Sequence, residues 1–209
     1  MESNHDGLIR CPWNTNDQIY LNYHDQEWGV PVVDDHSMFT FLVLETFQAG
    51  LSWITILKRR EGFARAFANF DAKTIAGWGN EKVEELVQDS GIIRNRAKIE
   101  ATLNNAQRTL EVIEEFGTFC DYWWQWVDYK PIQNTLRKMG DYEAKTALSD
   151  AVSKDLKKRG FKFVGSTTIY AHMQAAGLVN DHVEDCFRNA EVKKLAKSDL
   201  KQAIVEANQ

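Results

Sequence analysis

The chain has 209 residues, of which 44% are hydrophobic and 26% charged, and its formal net charge at pH 7 is −5. This composition is ordinary for a globular protein, and the charge argues against a surface coated in positive charge for nonspecific polyanion binding. No run reaches the roughly 18 apolar residues that span a bilayer, and residues 1–10 carry no apolar secretory segment. Three widely spaced cysteines suit a reducing compartment. We therefore expect a cytoplasmic protein with no membrane partner.

Nearly every apolar stretch after residue 35 has helical spacing, so the sequence predicts an all-α fold. Asp34 or Asp35 can cap a first helix that ends near Gly50, and Ser52 can cap a second helix that runs to Arg60. Further helices are predicted at 61–70, 71–77, 80–89, 94–116, 149–159 and 168–176. The charged segment 188–209 is predicted to be an amphipathic helix or a mobile tail.

Residues 83–99 predict a helical hairpin, with a short helix, a tight turn at Gly91 and a second helix that starts with basic residues. The free backbone N–H groups at the start of that second helix can bind phosphate oxygens, and Arg94, Arg96 and Lys98 would add positive charge. The pattern is typical of DNA binding without sequence readout. A helical corner that only packs against the protein has the same pattern.

Two further basic clusters lie beside glycine-containing turns, one at 58–60 and one at 154–162. A charge run is usually a solvated helix face, so each cluster alone says little about partners. Three such clusters together favour a nucleic-acid partner more than any one does.

Two Cys/His pairs lie near opposite ends of the chain, Cys11 with His24 and His182 with Cys186. They are four ligands of the kind that zinc prefers. On a helix His182 and Cys186 would share one face, and a loop between Cys11 and His24 could fold back. One metal ion could therefore tie the two termini together. The spacing leaves open that both cysteines are small buried hydrophobes and both histidines are ordinary surface or core residues.

Glu45 lies on the apolar face of the first predicted helix. A buried carboxylate without a partner is costly or has a raised pKa, so it either pairs with a buried base or lines a cavity that receives a ligand. Trp53 follows across the Gly50 turn, and aromatic residues crowd the first Cys/His pair. If these aromatic side chains converge on Glu45, they form a box for a flat ring.

Several motifs occur in order between Cys11 and Phe187: CPW at 11–13, YLNYHDQEWGVP at 20–31, LE at 44–45, QAGLSWI at 48–54, GFKFVG at 160–165 and NDH at 180–182. Together they resemble the bacterial 3-methyladenine DNA glycosylase I family, of the helix-hairpin-helix glycosylase superfamily. The resemblance implies an all-α, two-lobed glycosylase domain over 1–187, with its hairpin near 83–110 and a tail at 188–209. It also implies a structural zinc ion, held by residues matching Cys11, His24, His182 and Cys186, that joins the termini.

The resemblance implies a monofunctional glycosylase of base excision repair, which hydrolyses the N-glycosidic bond of flipped-out 3-methyladenine in alkylated double-stranded DNA and releases the free base. That base is cationic in DNA, so the enzyme mainly has to expose and recognise it. Glu45 and Tyr23 are the expected catalytic residues: Glu45 would accept hydrogen bonds from the base edge and stabilise its charge, and Tyr23, with Tyr20, would complete the pocket. The ring is expected to stack on Trp13, Tyr20 and Trp53, because an electron-rich face attracts a cation.

The same resemblance points to DNA contacts on the surface. Leu51, in the turn after Gly50, is expected to fill the gap that the flipped nucleotide leaves. Arg94, Arg96, Lys158 and Gly165 are expected to contact the DNA. No lysine needs to act as a nucleophile, so no strand cleavage is expected.

Two departures from the family pattern bear on these expectations. Thr46 stands where glycine usually follows the glutamate, and Ser166 stands where proline usually follows Gly165. Thr46 is expected to narrow the pocket or add a hydroxyl group, and Ser166 to loosen a loop that faces DNA. The superfamily's usual catalytic aspartate is missing after the hairpin, where Asn104 and Asn105 stand, so we assign no general base.

Other functions remain open from the sequence. A protein with this fold and zinc ion could sense alkylated DNA without cutting the base from it. A zinc hydrolase would need one of the four ligands to give way to water, whereas a closed shell of two cysteines and two histidines is typical of a structural ion. The basic clusters could also bind RNA. We expect a monomer, which suits an enzyme that scans DNA.

Overall fold

The computed structural model describes residues 7–209. Residues 1–6, which include most of the polar amino-terminal stretch and the start of the predicted domain, lie outside the described residues. Residues 7–209 form twelve α-helices and one sheet of two short strands, which confirms the predicted all-α fold. Within that range, no helix combines the length and the apolar composition needed to cross a bilayer.

The helices in chain order are α1 Gln18–Gln26, α2 Asp35–Gln48, α3 Trp53–Leu57, α4 Arg60–Ala66, α5 Ala72–Ala76, α6 Asn80–Leu86, α7 Arg96–Phe116, α8 Phe119–Trp124, α9 Ala147–Lys158, α10 Ser166–Ala175, α11 Phe187–Leu195 and α12 Leu200–Ala207. Strand β1 Ile132–Gln133 pairs in parallel with β2 Val179–Asn180. Helices α1 and α8 were not predicted from the sequence. The segment 188–209, predicted as one amphipathic helix or a mobile tail, forms the two helices α11 and α12, and the remaining predicted helices are present with ends that differ by a few residues.

Helix α2 lies at the centre of the core. Asp34 caps it as predicted, since its Oδ1 accepts a hydrogen bond from the backbone N–H of Ser37 at 2.7 Å. All ten residues from 38 to 47 are buried, so the helix is covered on every side rather than on one apolar face. Gly50, with a φ of +80°, turns the chain away after the helix ends.

The two helices after Ser52 are shorter than predicted. The sequence predicted one helix up to Arg60 and another over 61–70. Helix α3 ends at Leu57 and α4 begins at Arg60, and this break lets both helices bury their apolar residues. After α4 the chain makes a short 3₁₀ turn at Ala68–Phe70, whose residues all have positive φ values.

The predicted hairpin is present as α6, a turn at 87–95 and α7. Asp89 Oδ1 accepts a hydrogen bond from the backbone N–H of Gly91 at 2.7 Å, which fixes the turn. Helix α4 packs against this turn so closely that a Cβ atom at Gly62 would overlap the carbonyl oxygen of Gly91. Helix α7 begins at Arg96 behind its cap Asn95, so Arg94 lies in the turn itself.

The two ends of the described chain meet. The backbone N–H of Phe187, at the start of α11, donates a hydrogen bond to the carbonyl oxygen of Ile9 at 3.0 Å. The tail at 188–209 is helical, as α11 and α12, and Leu200 and Ile204 are buried in the core. Asn208 donates to the carbonyl oxygen of Val33 at 2.8 Å, which holds the end of α12 near the start of α2.

Candidate active site and metal cluster

A cavity of about 240 Å³, called the aromatic pocket below, opens beside α1, α2, α3 and α10. Five residues singled out from the sequence line it: Trp13, Tyr20, Tyr23, Glu45 and Trp53. Tyr20 and Tyr23 come from one face of α1, Glu45 from the central helix α2, and Trp53 from the first turn of α3. The turn at Gly50 therefore brings the carboxylate and the indole of neighbouring helices into one cavity.

The aromatic rings of the pocket contact each other at angles that leave faces open. Trp13 meets Tyr20 edge to face, with ring centroids 5.6 Å apart, and meets Trp28 in the same way at 4.8 Å. Tyr23 and Trp53 lie 5.2 Å apart with a tilt of 55°. Edge contacts of this kind are favourable and hold each ring in place. The result is a preformed cavity walled by aromatic side chains.

Glu45 is 3% exposed, and no residue of the described chain makes a hydrogen bond to its carboxyl group. Burial raises the pKa of Glu45 to about 8. The pKa values of Tyr20 and Tyr23 are also raised, first by burial and then by the Glu45 charge. The indole Nε1 of Trp53 is buried without a partner as well. The pocket thus presents a buried acceptor and a buried donor that the protein itself does not satisfy.

The four predicted metal ligands come together in a second buried cluster, called the Cys/His cluster below. The ligand atoms of Cys11, His24, His182 and Cys186 all lie within 4.8 Å of one another. Sulfur and nitrogen are 3.4 Å apart between Cys11 and His182, and 3.5 Å apart between Cys186 and each histidine. Zinc with bonds of about 2.3 Å to sulfur and 2.0 Å to nitrogen at tetrahedral angles would hold these atoms about 3.5 Å apart. The donor set therefore fits a zinc ion.

Hydrogen bonds orient both imidazole rings toward the sulfur atoms. His24 Nδ1 donates to Asp25 Oδ1 at 2.7 Å, and His182 Nε2 donates to the carbonyl oxygen of Trp28 at 3.0 Å. A carboxylate and a carbonyl can only accept, so the opposite nitrogen of each ring carries a lone pair. His24 Nε2 accepts a hydrogen bond from the Cys11 backbone N–H at 3.3 Å, and His182 Nδ1 faces the two sulfur atoms. Arg10 holds Asp25 in turn through two short hydrogen bonds. This second layer of contacts is the usual support of metal-binding histidines.

The two thiol groups of the cluster differ in acidity. Hydrogen bonds from Cys11 and then His182 hold the pKa of the Cys186 thiol well below its ordinary value, whereas burial raises the pKa of Cys11. A thiolate is the form that binds metal ions.

The local structure of the cluster differs from the expected one in two respects. His24 lies on α1 rather than at the end of a loop, because Asp17 caps a helix there. His182 and Cys186 do not share a helix face, since His182 follows β2 and Cys186 caps the start of α11. The four-residue spacing thus brings them together through a turn.

The residues predicted to contact DNA lie at turns and helix ends. Leu51 is 40% exposed in the turn after α2, and Lys158 is exposed at the end of α9. Arg94 is exposed in the hairpin turn, whereas Arg96 pairs with Glu84 through two hydrogen bonds of 2.8 and 2.7 Å. Gly165 is the residue before α10, where it leaves the first amides of the helix without a side-chain cap.

Comparison with known proteins decides the family. The sequence profile of the methyladenine glycosylase family matches residues 13–189, which include the aromatic pocket and three of the four residues of the Cys/His cluster, with Cys11 just before the matched range. The chain belongs to this family. DNA-3-methyladenine glycosylase 1 from Escherichia coli (strain K12) is 48% identical over 179 residues, which cover 86% of this chain and 96% of that protein.

Solved structures of methyladenine glycosylases have the same fold. A crystal structure of 3-methyladenine DNA glycosylase I superposes with a TM-score of 0.82 at 48% identity, covering 86% of this chain and 98% of that one. A variant of 3-methyladenine DNA glycosylase I with one tyrosine replaced by phenylalanine, in complex with 3-methyladenine, gives a TM-score of 0.84 at 36% identity. It covers 86% of this chain and 97% of its own.

Several residues of this chain line the pocket although the sequence analysis gave them no role, among them Trp28, Tyr142, Glu143 and Gln174. Gln174 stands three residues after Ala171 on α10, so helical spacing could have placed the two together. Tyr142 and Glu143 come from the irregular segment between β1 and α9, which carries no periodic pattern. The position of that segment at the pocket therefore could not be predicted from the sequence.

The structure does not support the expectations for the two departures from the family pattern. Thr46 is fully buried and is absent from the pocket wall, because neighbouring residues on a helix point about 100° apart. Ser166 does not loosen a loop, since it is the first residue of α10 and its hydroxyl group bonds to that of Ser149 at 2.8 Å. That contact ties the start of α10 to the first turn of α9.

Proposed function

We propose that this protein is a monofunctional DNA glycosylase of base excision repair, which removes 3-methyladenine from alkylated double-stranded DNA. The observation that carries the proposal is the buried carboxyl group of Glu45, which has no partner in a pocket walled by aromatic rings. Membership of the methyladenine glycosylase family supports it. The pocket is too narrow for duplex DNA, so the damaged nucleotide has to flip out of the helix, which costs a few kcal/mol.

Recognition of the base rests on its positive charge. A cation over an aromatic face is favourable by about 0.5 to 2 kcal/mol, and the pocket offers the faces of Trp13, Trp53 and the two tyrosines. Glu45 accepts hydrogen bonds from the edge of the base and balances its charge. Neutral adenine lacks the positive charge that strengthens both the aromatic contact and the interaction with Glu45. The pocket therefore selects the alkylated base over the normal one.

Glu45 changes its protonation state when the base enters. Burial raises its pKa to about 8, so the empty pocket holds mainly the neutral carboxylic acid at pH 7. A neighbouring cation favours the carboxylate, and the proton is therefore released when the cationic base binds. Tyr23 packs on Trp53 and keeps its proton, since burial and then the Glu45 charge hold its pKa well above the usual value. Its hydroxyl group can donate a hydrogen bond in the pocket.

The chemistry needs little help from acids or bases. When the bond between N9 of the base and C1′ of the sugar breaks, the base keeps the electron pair and leaves as neutral 3-methyladenine. Water adds its oxygen to C1′ and loses a proton to the solvent. No group has to protonate the leaving base, and no lysine is needed to form a covalent intermediate. We therefore expect an abasic product without strand cleavage.

Contacts outside the pocket hold the DNA in its bent, opened form. Leu51 fills the gap in the base stack, as its exposed position after Gly50 allows. The hairpin turn with Arg94, together with Lys158 and the free amides after Gly165, binds phosphates. Arg96 takes part only if a phosphate replaces Glu84 as its partner.

We further propose that the Cys/His cluster holds a structural zinc ion. Bound zinc would link α1 to the segment before α11 and so close the protein around the amino-terminal wall of the pocket. The four ligands fill a tetrahedral shell, so the ion has no open position for water. Because the pocket is complete within one chain, we propose that the protein acts as a monomer, and that it works in the cytoplasm, where alkylated DNA is its partner.

The test is chromatography of the free bases released when the purified protein meets methylated duplex DNA. Glu45→Gln is measured beside Glu114→Gln, a matched control at an exposed glutamate on α7. We expect 3-methyladenine from the wild type and the control but not from Glu45→Gln. Equal release by all three proteins would remove Glu45 from the site. No release by a folded wild type that still binds DNA would contradict the proposed activity and favour a sensor of DNA damage.

A further inference from the structure

Lys98 is a buried cation that the proposed reaction does not use. It lies in the first turn of α7, directly after the hairpin turn, and is 5% exposed. Burial lowers its pKa. Among residues 7–209 no carboxylate forms an ion pair with it, and its partners are backbone carbonyl groups instead. A lysine in such a position is unfavourable near the positive end of its own helix, so another interaction has to offset that cost.

The partners of Lys98 are at the end of the central helix α2. Its Nζ donates hydrogen bonds to the carbonyl oxygen of Phe47 at 2.7 Å and to that of Ala49 at 2.6 Å. Carbonyl groups in the last turn of a helix have no N–H partner within the helix and carry its negative end charge. The ammonium group thus satisfies two such groups at once and joins α7 to α2.

The chain that follows these carbonyl groups carries the residue proposed to enter the DNA. Gly50 turns the chain with a φ of +80°, and Leu51 comes next, 40% exposed. Apart from the two adjacent residues, no atom lies within 4 Å of the place where a Cβ at Gly50 would be, so nothing packs against the turn at this position. Its contacts are hydrogen bonds, from the Leu51 backbone N–H to the carbonyl oxygen of Gln48 at 2.7 Å and from Lys98 to the carbonyl group just before Gly50.

We propose that Lys98 is a positioning residue that fixes the Leu51 turn relative to the hairpin, so that phosphate binding and insertion of Leu51 occur in register. The inference rests on the proposed function, because it takes Leu51 as the residue that replaces the flipped nucleotide. The hairpin carries the phosphate contacts and α2 carries Glu45, and Lys98 provides polar contacts between them. An apolar side chain would fill the same space but leave the buried carbonyl group of Phe47 and the half-buried one of Ala49 without this donor.

The test is a double-mutant cycle on the single-turnover rate of 3-methyladenine excision from a duplex. Lys98→Met keeps the length of the side chain and removes the donors. We expect it to lower the rate about tenfold in the wild-type background, because a misplaced group near the reaction can cost that much or more. In the Leu51→Ala background the same change should cost less than about twofold, since the residue that Lys98 positions is gone. Lys98→Arg, which keeps a donor cation, should restore the rate to within about threefold.

Two further readouts separate this role from general stability or phosphate contact. Affinity of Lys98→Met for undamaged duplex should stay within about twofold of the wild type, because the exposed basic residues of the hairpin remain. Binding of free 3-methyladenine, followed by tryptophan fluorescence, should also be unchanged. A fall in DNA affinity that matches the fall in rate would overturn the inference, and so would equal effects of Lys98→Met in both Leu51 backgrounds.

Two controls keep the result interpretable. If Lys98→Met does not fold, as judged by its melting temperature, the cycle is repeated with Lys98→Arg, whose smaller effect must also vanish with Leu51→Ala. Absence of excision by the wild type would instead contradict the proposed function. An active wild type with additive effects in the cycle contradicts the role of Lys98 alone.

Discussion

The Cys/His cluster and the aromatic pocket lie back to back, and they treat their polar groups in opposite ways. Trp28 lines the pocket and touches the ring of His182 at 4.6 Å, so the two regions share a wall. In the cluster both imidazole rings are bonded on one side and face sulfur on the other. In the pocket the buried polar atoms of Glu45 and Trp53 have no partner. The oriented ligand atoms of the Cys/His cluster suit a structural metal ion. The unpaired polar atoms of the aromatic pocket suit a ligand that supplies the missing hydrogen-bond partners.

The largest expected effect comes from Glu45→Gln, which should lower excision at least about 100-fold, since the cation loses its counter-charge. Stability should change in the opposite direction. The folded carboxyl group keeps its proton up to about pH 8, whereas the unfolded one loses it near 4.5, so the wild type loses stability as the pH rises between these values. Relative to the wild type, Glu45→Gln should therefore gain on the order of 4 kcal/mol of stability between pH 5 and pH 9.

Base release and thermal unfolding at pH 5 and pH 9 check this prediction. Zinc content should be the same in both proteins. A variant that is inactive and also less stable at pH 9 would show that Glu45 is a structural residue, and the contrast between the two regions would be lost.

Cys186→Ser should lower stability and leave excision nearly unchanged, the reverse of Glu45→Gln. We expect loss of zinc and a melting temperature lower by about 10 °C, because a structural ion stabilises the folded state directly. Excision per folded molecule at low temperature should stay within about threefold of the wild type, since no ligand of the cluster reaches the substrate. Zinc content, melting temperature and single-turnover rate are the measurements.

Cys120→Ser is the matched control, because Cys120 is a fully buried cysteine away from the cluster. It should lower stability without changing zinc content. If the Cys186→Ser protein keeps both its zinc and its melting temperature, the proposal of a structural zinc ion held by Cys186 is wrong.

His172 tests whether a buried group without a partner is enough to mark a site. Both of its ring nitrogens are buried without partners, and its ring packs 4.1 Å from that of Trp123, but it does not line the aromatic pocket. We expect His172→Phe to leave excision unchanged and to stabilise the protein by about 1 to 2 kcal/mol at pH 7, since the unpaired polar atoms are removed.

The gain should grow in acid. Burial lowers the pKa of His172 from 6.5 to about 3, so only the unfolded imidazole binds a proton between these values. The wild type therefore loses stability as the pH falls below 6.5, and at pH 5 the variant should gain about 2 kcal/mol more. Denaturant unfolding at both pH values measures this. Loss of excision in a stable His172→Phe protein would give this histidine a role that the pocket does not explain.

The smallest expected effect is at the mouth of the pocket, where Glu143 is exposed. Its negative charge should attract the cationic base and repel the DNA backbone. For Glu143→Gln we predict a kcat/KM for methylated DNA about threefold lower at low salt, together with equal or tighter binding of undamaged duplex. Glu114→Gln controls for net charge. Parallel changes in both quantities would mean that Glu143 acts only on the backbone.

The sequence predicted the regular parts of the fold well, for physical reasons that the structure makes plain. Helix α7 has a long amphipathic pattern behind an asparagine cap, and α2 has an aspartate cap and a glycine end. Helix α1 was missed because only Tyr23 and His24 are buried in it. These residues face the aromatic pocket and the Cys/His cluster, so the helix has no periodic apolar pattern. Helix α8 is short and almost wholly buried, and therefore has no periodicity to detect.

Some residues of the site could likewise be predicted from the sequence, and others could not. Glu45 could be found because a carboxylate among apolar residues of a helix has to be explained by a partner or a cavity. The aromatic residues near the first Cys/His pair could be grouped only by their closeness in sequence. Glu143 and the ion pair of Arg96 with Glu84 depend on how distant segments meet, which one sequence does not reveal.

The contact between Cys11 and His182 spans 171 positions, and this separation sets an order of events during synthesis. The amino-terminal wall of the pocket, with Trp13, leaves the ribosome first, yet the residues that fasten it leave almost last. A nascent chain can form α2 and the hairpin early, but it has to hold residues 8–28 without their final partners until the segment at 182–186 is free. A chain truncated before that segment should expose this wall to chaperones and proteases. The amino-terminal wall of the pocket is thus among the last parts of the site to gain its final contacts.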